Sequence, residues 1–410
     1  MSLFTSHCNK LLPAALAMSF LLQPDIARAD DWNWHGYISQ GAIYTTKNEF
    51  FGNSEDVSWD FNSVIGGVSW DATKRLRFSA QAIYRQAGET SPDKVYTDYA
   101  MIDFNLIDNL QGQMGIRAGR IKNPYGFFTD TRDIAANRSS VLLPESVYYD
   151  SLRDVFHTSD SISLYGSWYW GQHLIQVDAL SGKPLFTEAS ANEFTIPLGI
   201  KGDFEGKDAR IFRIMTESYG GKLRLAYTRA ETLVKFTPDP GTREITVSPG
   251  VTMTAPLNGY PGKTRTKINI WSIEFNYGQW QFTSEILDWN LRRKDSSPRG
   301  GTEYDSLGMY GSIHYRINPQ LQVYIRRDIL YRNTDDKDGE KYAAATGNPA
   351  HNQYAFDTTV GVKFEPDDHW HLALEAHHVR GTAWLSYNDN DLSQASKKWT
   401  MIAAEVSYRF

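Results

Sequence analysis

Arg120, Lys122, Arg132 and Arg138 fall in one stretch of chain, with Asp130 and Asp133 interleaved among them. Nucleophilic catalysis needs a base beside the nucleophile, and a metal needs convergent donors; cations alternating with carboxylates supply neither. Such a set can instead impose a local potential on a confined aqueous passage and bias which ions cross it. The segment 121–160 is the longest connection between patterned stretches of the chain, and a connection of that length is usually functional. Pro124 and Gly126 near its start favour a sharp turn that would send the chain inward. With Arg117 just upstream, the candidate constriction is Arg117, Arg120, Lys122, Asp130, Arg132, Asp133 and Arg138.

Further charges sit on one parity of alternating segments elsewhere. Arg77, Arg85, Arg224 and Arg326 face Asp103, Glu375 and Glu405 as candidate wall residues, with Arg117, Lys363, Asp178, Glu274 and Glu285 on the same parity. Opposed clusters of the two signs would give a transverse field and weak anion preference at the constriction. A mixed wall that only keeps the passage wet is the plainer alternative. Tyr99, also counted among the wall residues, shares this parity with Tyr165, Tyr169, Tyr310 and Tyr324. These rings would form an aromatic track for sugars or aromatic acids if aligned, and ordinary wall packing if scattered.

Other constellations carry less. Gly262-Lys263-Thr264 ends like a phosphate-binding loop, but Leu257 stands where the upstream glycine is required, and the segment reads as a connection. His371 and His377 would be roughly 20 Å apart on a strand at ~3.3 Å per residue, too far to share an ion. Glu375 with His377 is closer, and Glu405 on a neighbouring strand could join them. His157 has Ser151, Asp154 and Ser159 nearby without a nucleophile motif. The acidic runs 335–340 and 388–391 lack the terminal ligand pattern of an EF-hand. No cofactor, metal or catalysis is expected.

These residues must be held by strands. Ile402, Ala404, Val406, Tyr408 and Phe410 occupy one parity, while Glu405, Ser407 and Arg409 occupy the other. A period of two puts each set on its own face of a strand. Sixteen such segments start near Trp34, Ser58, Arg75, Thr97, Gln111, Ser161, His173, Ala209, Lys222, Thr266, Trp280, Leu307, Gln320, Ala355, Trp370 and Trp399. The Ala209 segment is weak, since it mixes Arg213 with Ile211. Very short connections alternate with long polar ones at 182–201, 230–265, 292–306, 332–354 and 381–398. This rhythm predicts an all-β chain, one transmembrane antiparallel β-barrel of about sixteen strands. Trp168, Trp170, Trp271, Trp280, Trp289 and Trp399, near strand ends, suit interfacial girdles.

Composition agrees. The 410 residues carry a net charge of −6, which excludes a basic nucleic-acid binder. A mean hydropathy of −0.47 excludes a polytopic helical membrane protein. Lys10, the apolar run 11–22 and Ala27-Arg28-Ala29 read as a secretory signal peptide over 1–29, leaving a mature domain from Asp30 to Phe410. Cys8, the only cysteine, lies in that leader, so neither a disulfide nor thiol chemistry is expected.

The run Gly-Arg-x-Lys-x-Pro-x-Gly at 119–126 resembles a stretch found in porins related to the phosphate-selective and DcaP-like groups, and Trp34-His35-Gly36-Tyr37 is similar to porin starts. The final aromatic, Phe410, resembles the terminal signal that the outer-membrane barrel-assembly machinery reads. The resemblance implies a homotrimeric, water-filled channel for small hydrophilic solutes in a Gram-negative outer membrane, contacting lipid and lipopolysaccharide. It further implies that the third long loop, from Ile121, folds into the lumen. The tyrosine-and-arginine ladder of phosphate channels cannot be mapped onto this chain. A channel selective for sugars or organic acids remains an alternative, as does, from another class, a secreted soluble carbohydrate-binding β-protein.

Overall fold

The computed structural model describes residues 32–410 except 92, 93, 249, 250 and 299; the leader read at 1–29 lies outside the described residues. The strands are β1 (Trp32–Thr45), β2 (Phe61–Asp71), β3 (Leu76–Ala87), β4 (Lys94–Asn109), β5 (Gly112–Lys122) and β6 (Thr158–Trp170). Then follow β7 (His173–Pro184), β8 (Gly202–Ser218), β9 (Leu223–Pro238), β10 (Thr242–Ser248), β11 (Val251–Pro256) and β12 (Gly262–Tyr277). The last six are β13 (Trp280–Asp295), β14 (Gly301–Arg316), β15 (Leu321–Tyr331), β16 (Tyr354–Phe364), β17 (Trp370–Gly381) and β18 (Lys398–Arg409). All but β10 and β11 form a closed antiparallel barrel of neighbours in sequence, sealed where β1 pairs with β18. Reciprocal backbone bonds of 3.1 Å between Gly36 and Phe410 finish that seam. Closure leaves no open sheet edge. Among the described residues no helix is long and apolar enough to cross a membrane.

Burial is inverted relative to a water-soluble protein. On β18, Ile402 is 48% exposed and Val406 37%, whereas Glu405 is 5% exposed and Ser407 7%. The same outward face carries Trp271, Ile273 and Phe275 on β12, Ile313 on β14, Ile325 on β15 and Leu374 on β17, all exposed. Their strand neighbours Ser272, Glu274, Ser312, Arg326 and Glu375 are buried inside. At the short-turn end the outward face is ringed by aromatics: Trp32, Trp34, Trp70 and Phe78 stack in series at 5.5–6.2 Å, with Trp170, Trp280 and Trp370 also exposed.

The structure differs from the sequence reading in three places. Strands at the long-loop end run further than alternation indicated. The 17-residue β8 is roughly 56 Å long at ~3.3 Å per residue, whereas ~10 residues cross an apolar band. The connections read at 230–265 and 292–306 are therefore mostly strand, Gly262-Lys263-Thr264 opens β12, and β10 with β11 makes a hairpin beyond the rim. Trp289 and Trp399 belong to no girdle. They point inward at 8% and 2% exposure, because apolar loop residues fill the lumen there and give the rings a dry partner.

Candidate functional site

The loop between β5 and β6 enters the barrel and crosses it. Two positive-φ glycines begin the path. Gly119 has φ +126, and a Cβ there would lie 2.3 Å from the Ala100 carbonyl. Gly126 has φ +55, and its Cβ would meet the Tyr148 hydroxyl at 2.5 Å and Glu285 Oε1 at 2.6 Å. Both glycines of the 119–126 motif are thus fixed by conformation and space. Beyond Gly119, Tyr125, Phe127, Phe128, Val147, Tyr148, Tyr149 and Leu152 are buried against Ile268, Ile270, Leu287 and Trp289 of the wall. Trp289 meets Tyr149 and Phe156 edge-on at 5.6 and 5.5 Å.

A loop inside a barrel must find partners for its backbone polar groups. Here the wall supplies them. Glu285 accepts from Phe127 N at 3.0 Å, Tyr148 Oη at 2.5 Å, Tyr310 Oη at 2.8 Å and Ser272 Oγ at 2.5 Å. Glu375 accepts from Leu142 N at 2.9 Å, Val141 N at 3.2 Å and Tyr324 Oη at 2.6 Å, and is bridged by His377 at 3.0 Å. Arg213 donates to the Gly126 carbonyl at 3.2 Å, Arg326 donates to the Leu142 carbonyl at 2.9 Å, and Ser146 donates to Asp328 at 2.8 Å. The loop is therefore pinned to β8, β13, β15 and β17 at once.

Most of the predicted constriction charges are in this region, but paired. Arg132 and Arg85 share Asp150 at 3.0 and 2.8 Å. Lys122 is drawn under the loop between Asp98 at 2.9 Å and Asp133 at 3.0 Å, while Arg153 holds the other oxygen of Asp133 at 2.5 Å. Asp130 pairs with Arg213 at 3.1 Å, and Arg138 reaches Glu405 at 2.5 Å. Of the wall residues, Arg117 pairs with Asp103 at 2.8 Å, Arg326 with Asp328 at 2.7 Å and Arg224 with Glu274 at 3.2 Å. Arg77 pairs with Asp71 at the short-turn end, and Tyr99 lies beside Lys122, whose Nζ is 5.8 Å from its ring centre. The geometry is one of local neutralisation rather than two opposed clusters.

Arg120 is a correction. It shares the outward parity of Ile116 and Ala118 and pairs with Asp160 at 3.0 Å on the barrel's exterior, because period-two alternation from the inward Arg117 carries it outside. The tyrosines take the second of their two readings, wall packing. Tyr165, Tyr310 and Tyr324 bond Asp103, Glu285 and Glu375, so their hydroxyls serve the wall rather than a passing solute. Glu405 joins Arg138 and not the His377–Glu375 pair, which Asp357 completes at 2.7 Å from His377 Nδ1. Asp98, Asp133 and His157 converge closely enough to hold a metal, but the Lys122 ammonium already sits on both carboxylates. Sequence reasoning missed Asp98, Asp150 and Asp328 as partners; Asp98 is displaced by a bulge between Thr97 and Tyr99, which alternation does not show.

Two further features bound the passage. At the long-loop end, Trp384 packs on Phe50 at 5.4 Å and Trp399 at 5.2 Å, and the helix Glu188–Thr195 is tied over this segment by Glu193, which accepts from Ser386 Oγ, Tyr387 N and Asn388 Nδ2. Burial raises the Glu193 carboxyl above the usual range, and raises Asp389 to about 6, where it accepts Glu89 N at 2.9 Å. Within the loop, burial and the nearby Asp150 carboxylate push Glu145 up to about 8. On the short-turn side lies a polar cavity of about 300 Å³, lined among others by Arg138, Arg224, Arg316, Lys363, Glu274 and Glu365.

No protein-family model matches the sequence, and no curated protein matches it. Solved structures do match in fold. The anion-selective porin from Comamonas acidovorans aligns at TM-score 0.58 and 10% identity over 92% of this chain and 99% of that one. The outer membrane channel DcaP of Acinetobacter baumannii aligns at TM-score 0.53 and 11% identity over 95% and 100%. A trimer form of in-vitro folded OmpT from Vibrio cholerae gives TM-score 0.53 and 11% identity over 92% and 99%. The chain therefore has the sixteen-stranded barrel fold of outer-membrane porins.

Proposed function

We propose that the protein is an outer-membrane porin of a Gram-negative bacterium that passes small hydrophilic solutes down their gradients. The observation that carries this reading is the inverted barrel: apolar side chains exposed outside, polar and charged ones buried inside, and a loop crossing the lumen. Such a surface suits lipid, and such an interior suits water. The short-turn end then faces the periplasm and the long loops face the medium. The paired constriction charges favour weak permselectivity set by the cations left over, Arg316 and Lys363, at the polar cavity. The like-folded anion-selective porin and trimeric OmpT support a weak anion preference and a homotrimer as working expectations, and Phe410 remains the proposed assembly signal.

Planar-bilayer recording of the purified chain tests this. Stepwise conductance in KCl, with a small anion-side reversal potential across a salt gradient and a cut-off for larger sugars, is the expected result. A chain that inserts but never conducts overturns the reading, and a cation-side potential removes the anion preference.

A further inference from the structure

The connection between β17 and β18, residues 382–397, and that between β7 and β8, which carries the helix Glu188–Thr195, rise from opposite sides of the barrel. In the ring of sixteen strands β17 stands eight places from β7, and β18 eight places from β8. Connections rooted a full diameter apart meet only by crossing the mouth, and these two meet. The Glu193 carboxylate of the helix accepts Tyr387 N at 3.1 Å, Asn388 Nδ2 at 2.6 Å and the Ser386 hydroxyl. Asn388 Nδ2 also reaches the Ala189 carbonyl at 3.0 Å.

The two pieces are seated unequally. The strap 382–397 is fixed at its root: Thr382, Ala383, Trp384 and Leu385 are 0–3% exposed, and Arg332 donates to the Ala383 carbonyl at 2.7 Å. Asn390 exchanges two bonds of 2.8 Å with the backbone of Glu49. The helix instead leans on the wall through Phe194 against Phe204 at 5.6 Å, and runs on into Ile196 and Leu198, which are exposed. Among the described residues Glu193 makes no ion pair; it holds neutral donors. Water replaces hydrogen bonds of that kind at small net cost. The junction at Glu193 is therefore where the mouth can part.

The helix is footed on the lumen loop. Its N-cap, Thr187, accepts Ser190 N at 3.3 Å and donates to Asp154 Oδ2 at 2.8 Å. Asp154 belongs to the lumen loop, and its other oxygen takes Arg153 at 2.9 Å. Arg153 holds Asp133, which Lys122 and His157 hold in turn. A helix of eight residues is marginal by itself and depends on its cap and its packing. One hydroxyl thus fixes both the start of the outer helix and its attachment to the inner loop.

We propose that the strap and the helix form a two-piece lid over the outer mouth, parting at Glu193, and that Thr187 couples this lid to the lumen loop so that freeing either frees the other. The inference rests on the porin reading above, which puts this end towards the medium. Such coupling is reciprocal, and here it runs through named bonds between two movable pieces.

Two measurements on the full chain in bilayers test it, both on a C8S background. A short bismaleimide across A189C/N388C should abolish the openings that the unbridged pair shows. Failure of the folded pair to bridge, or equal conductance bridged and unbridged, overturns the lid. For the coupling, E285A frees the lumen loop from the wall, and protease added from the long-loop side should then cut within 382–397 about fivefold faster or more. A loop lying below cannot shield the strap, so that rise reads coupling rather than access. Adding T187V should remove it. Should E285A fail to fold, Y148F removes the loop's own hydroxyl and should give the same rise. A strap that stays uncut when the loop is freed, or a rise that survives T187V, overturns the coupling. A chain that conducts alike in every variant sinks this inference alone, whereas one that never conducts, bridged or not, sinks the porin reading.

Discussion

Replacing Glu285 with alanine should release the lumen loop without unmaking the barrel. The carboxylate is fully buried and accepts four hydrogen bonds, two of them from the loop, Phe127 N and Tyr148 Oη. Phe127 N keeps a second acceptor in Tyr148 Oη at 3.0 Å, so the loop donor left unsatisfied is the Tyr148 hydroxyl, at a cost of about 1–3 kcal/mol in docking. At ~1.4 kcal/mol per tenfold, the undocked population rises by about fivefold at the lower end and more than a hundredfold at the upper. The ladder of β13 with β12 and β14 is made by backbone and stays intact. Single-channel recording should then show larger, noisier openings, and protease added from the loop side should cut within 123–157 while the barrel keeps its heat-dependent gel migration. Unchanged openings together with an uncut loop, in a variant shown to be folded, would refute the claim that this carboxylate pins the loop.

Other expectations follow from the same geometry. Arg138→Gln leaves Glu405 without its cationic partner beside the polar cavity, so the zero-current potential in a KCl gradient should move towards cation selectivity; an anion-ward shift contradicts the pairing. Asp389 is raised to about 6 by burial, so burying it costs least when it is protonated, and the docking of its loop is most favoured below about pH 4 and weakens as pH rises through 6. The gap from an ordinary aspartate is on the order of 2–3 kcal/mol. Proteolysis in the segment 382–396 should accordingly be slower at pH 5 than at pH 7.5, and Asp389→Asn should reduce that difference, leaving the part carried by Glu193, which burial also raises.

Alternation made the barrel legible because a membrane strand has only two faces, and lipid and water demand opposite chemistry on them. All sixteen strands are recoverable, even β8, where Arg213 shares the inward face with Ile211 because its side chain holds Asp130, Asp178 and the Gly126 carbonyl. Period two also contained the correction to Arg120, since the inward Arg117 requires an outward Arg120. Parity also places Trp289 inside, on the face opposite Phe282 and Ile286; what it lacks is the dry partner that meets the ring there, a loop arriving from far along the chain. Pairing partners were equally hidden. Arg138 meets Glu405 and Val141 meets Glu375 across more than two hundred residues, contacts set by where the loop crosses rather than by any local spacing.

The central claim is that each strand has a lipid face and a water face, one residue apart. Cysteine placed in turn at Gln281, Phe282, Gln322 and Val323 in the reconstituted barrel measures this directly, because these neighbours point inward and outward alternately. A charged, water-soluble thiol reagent should label positions 281 and 322 and spare 282 and 323, while a lipid-soluble maleimide should do the reverse. Equal labelling of both members of each pair, or water access confined to 282 and 323, would contradict the account.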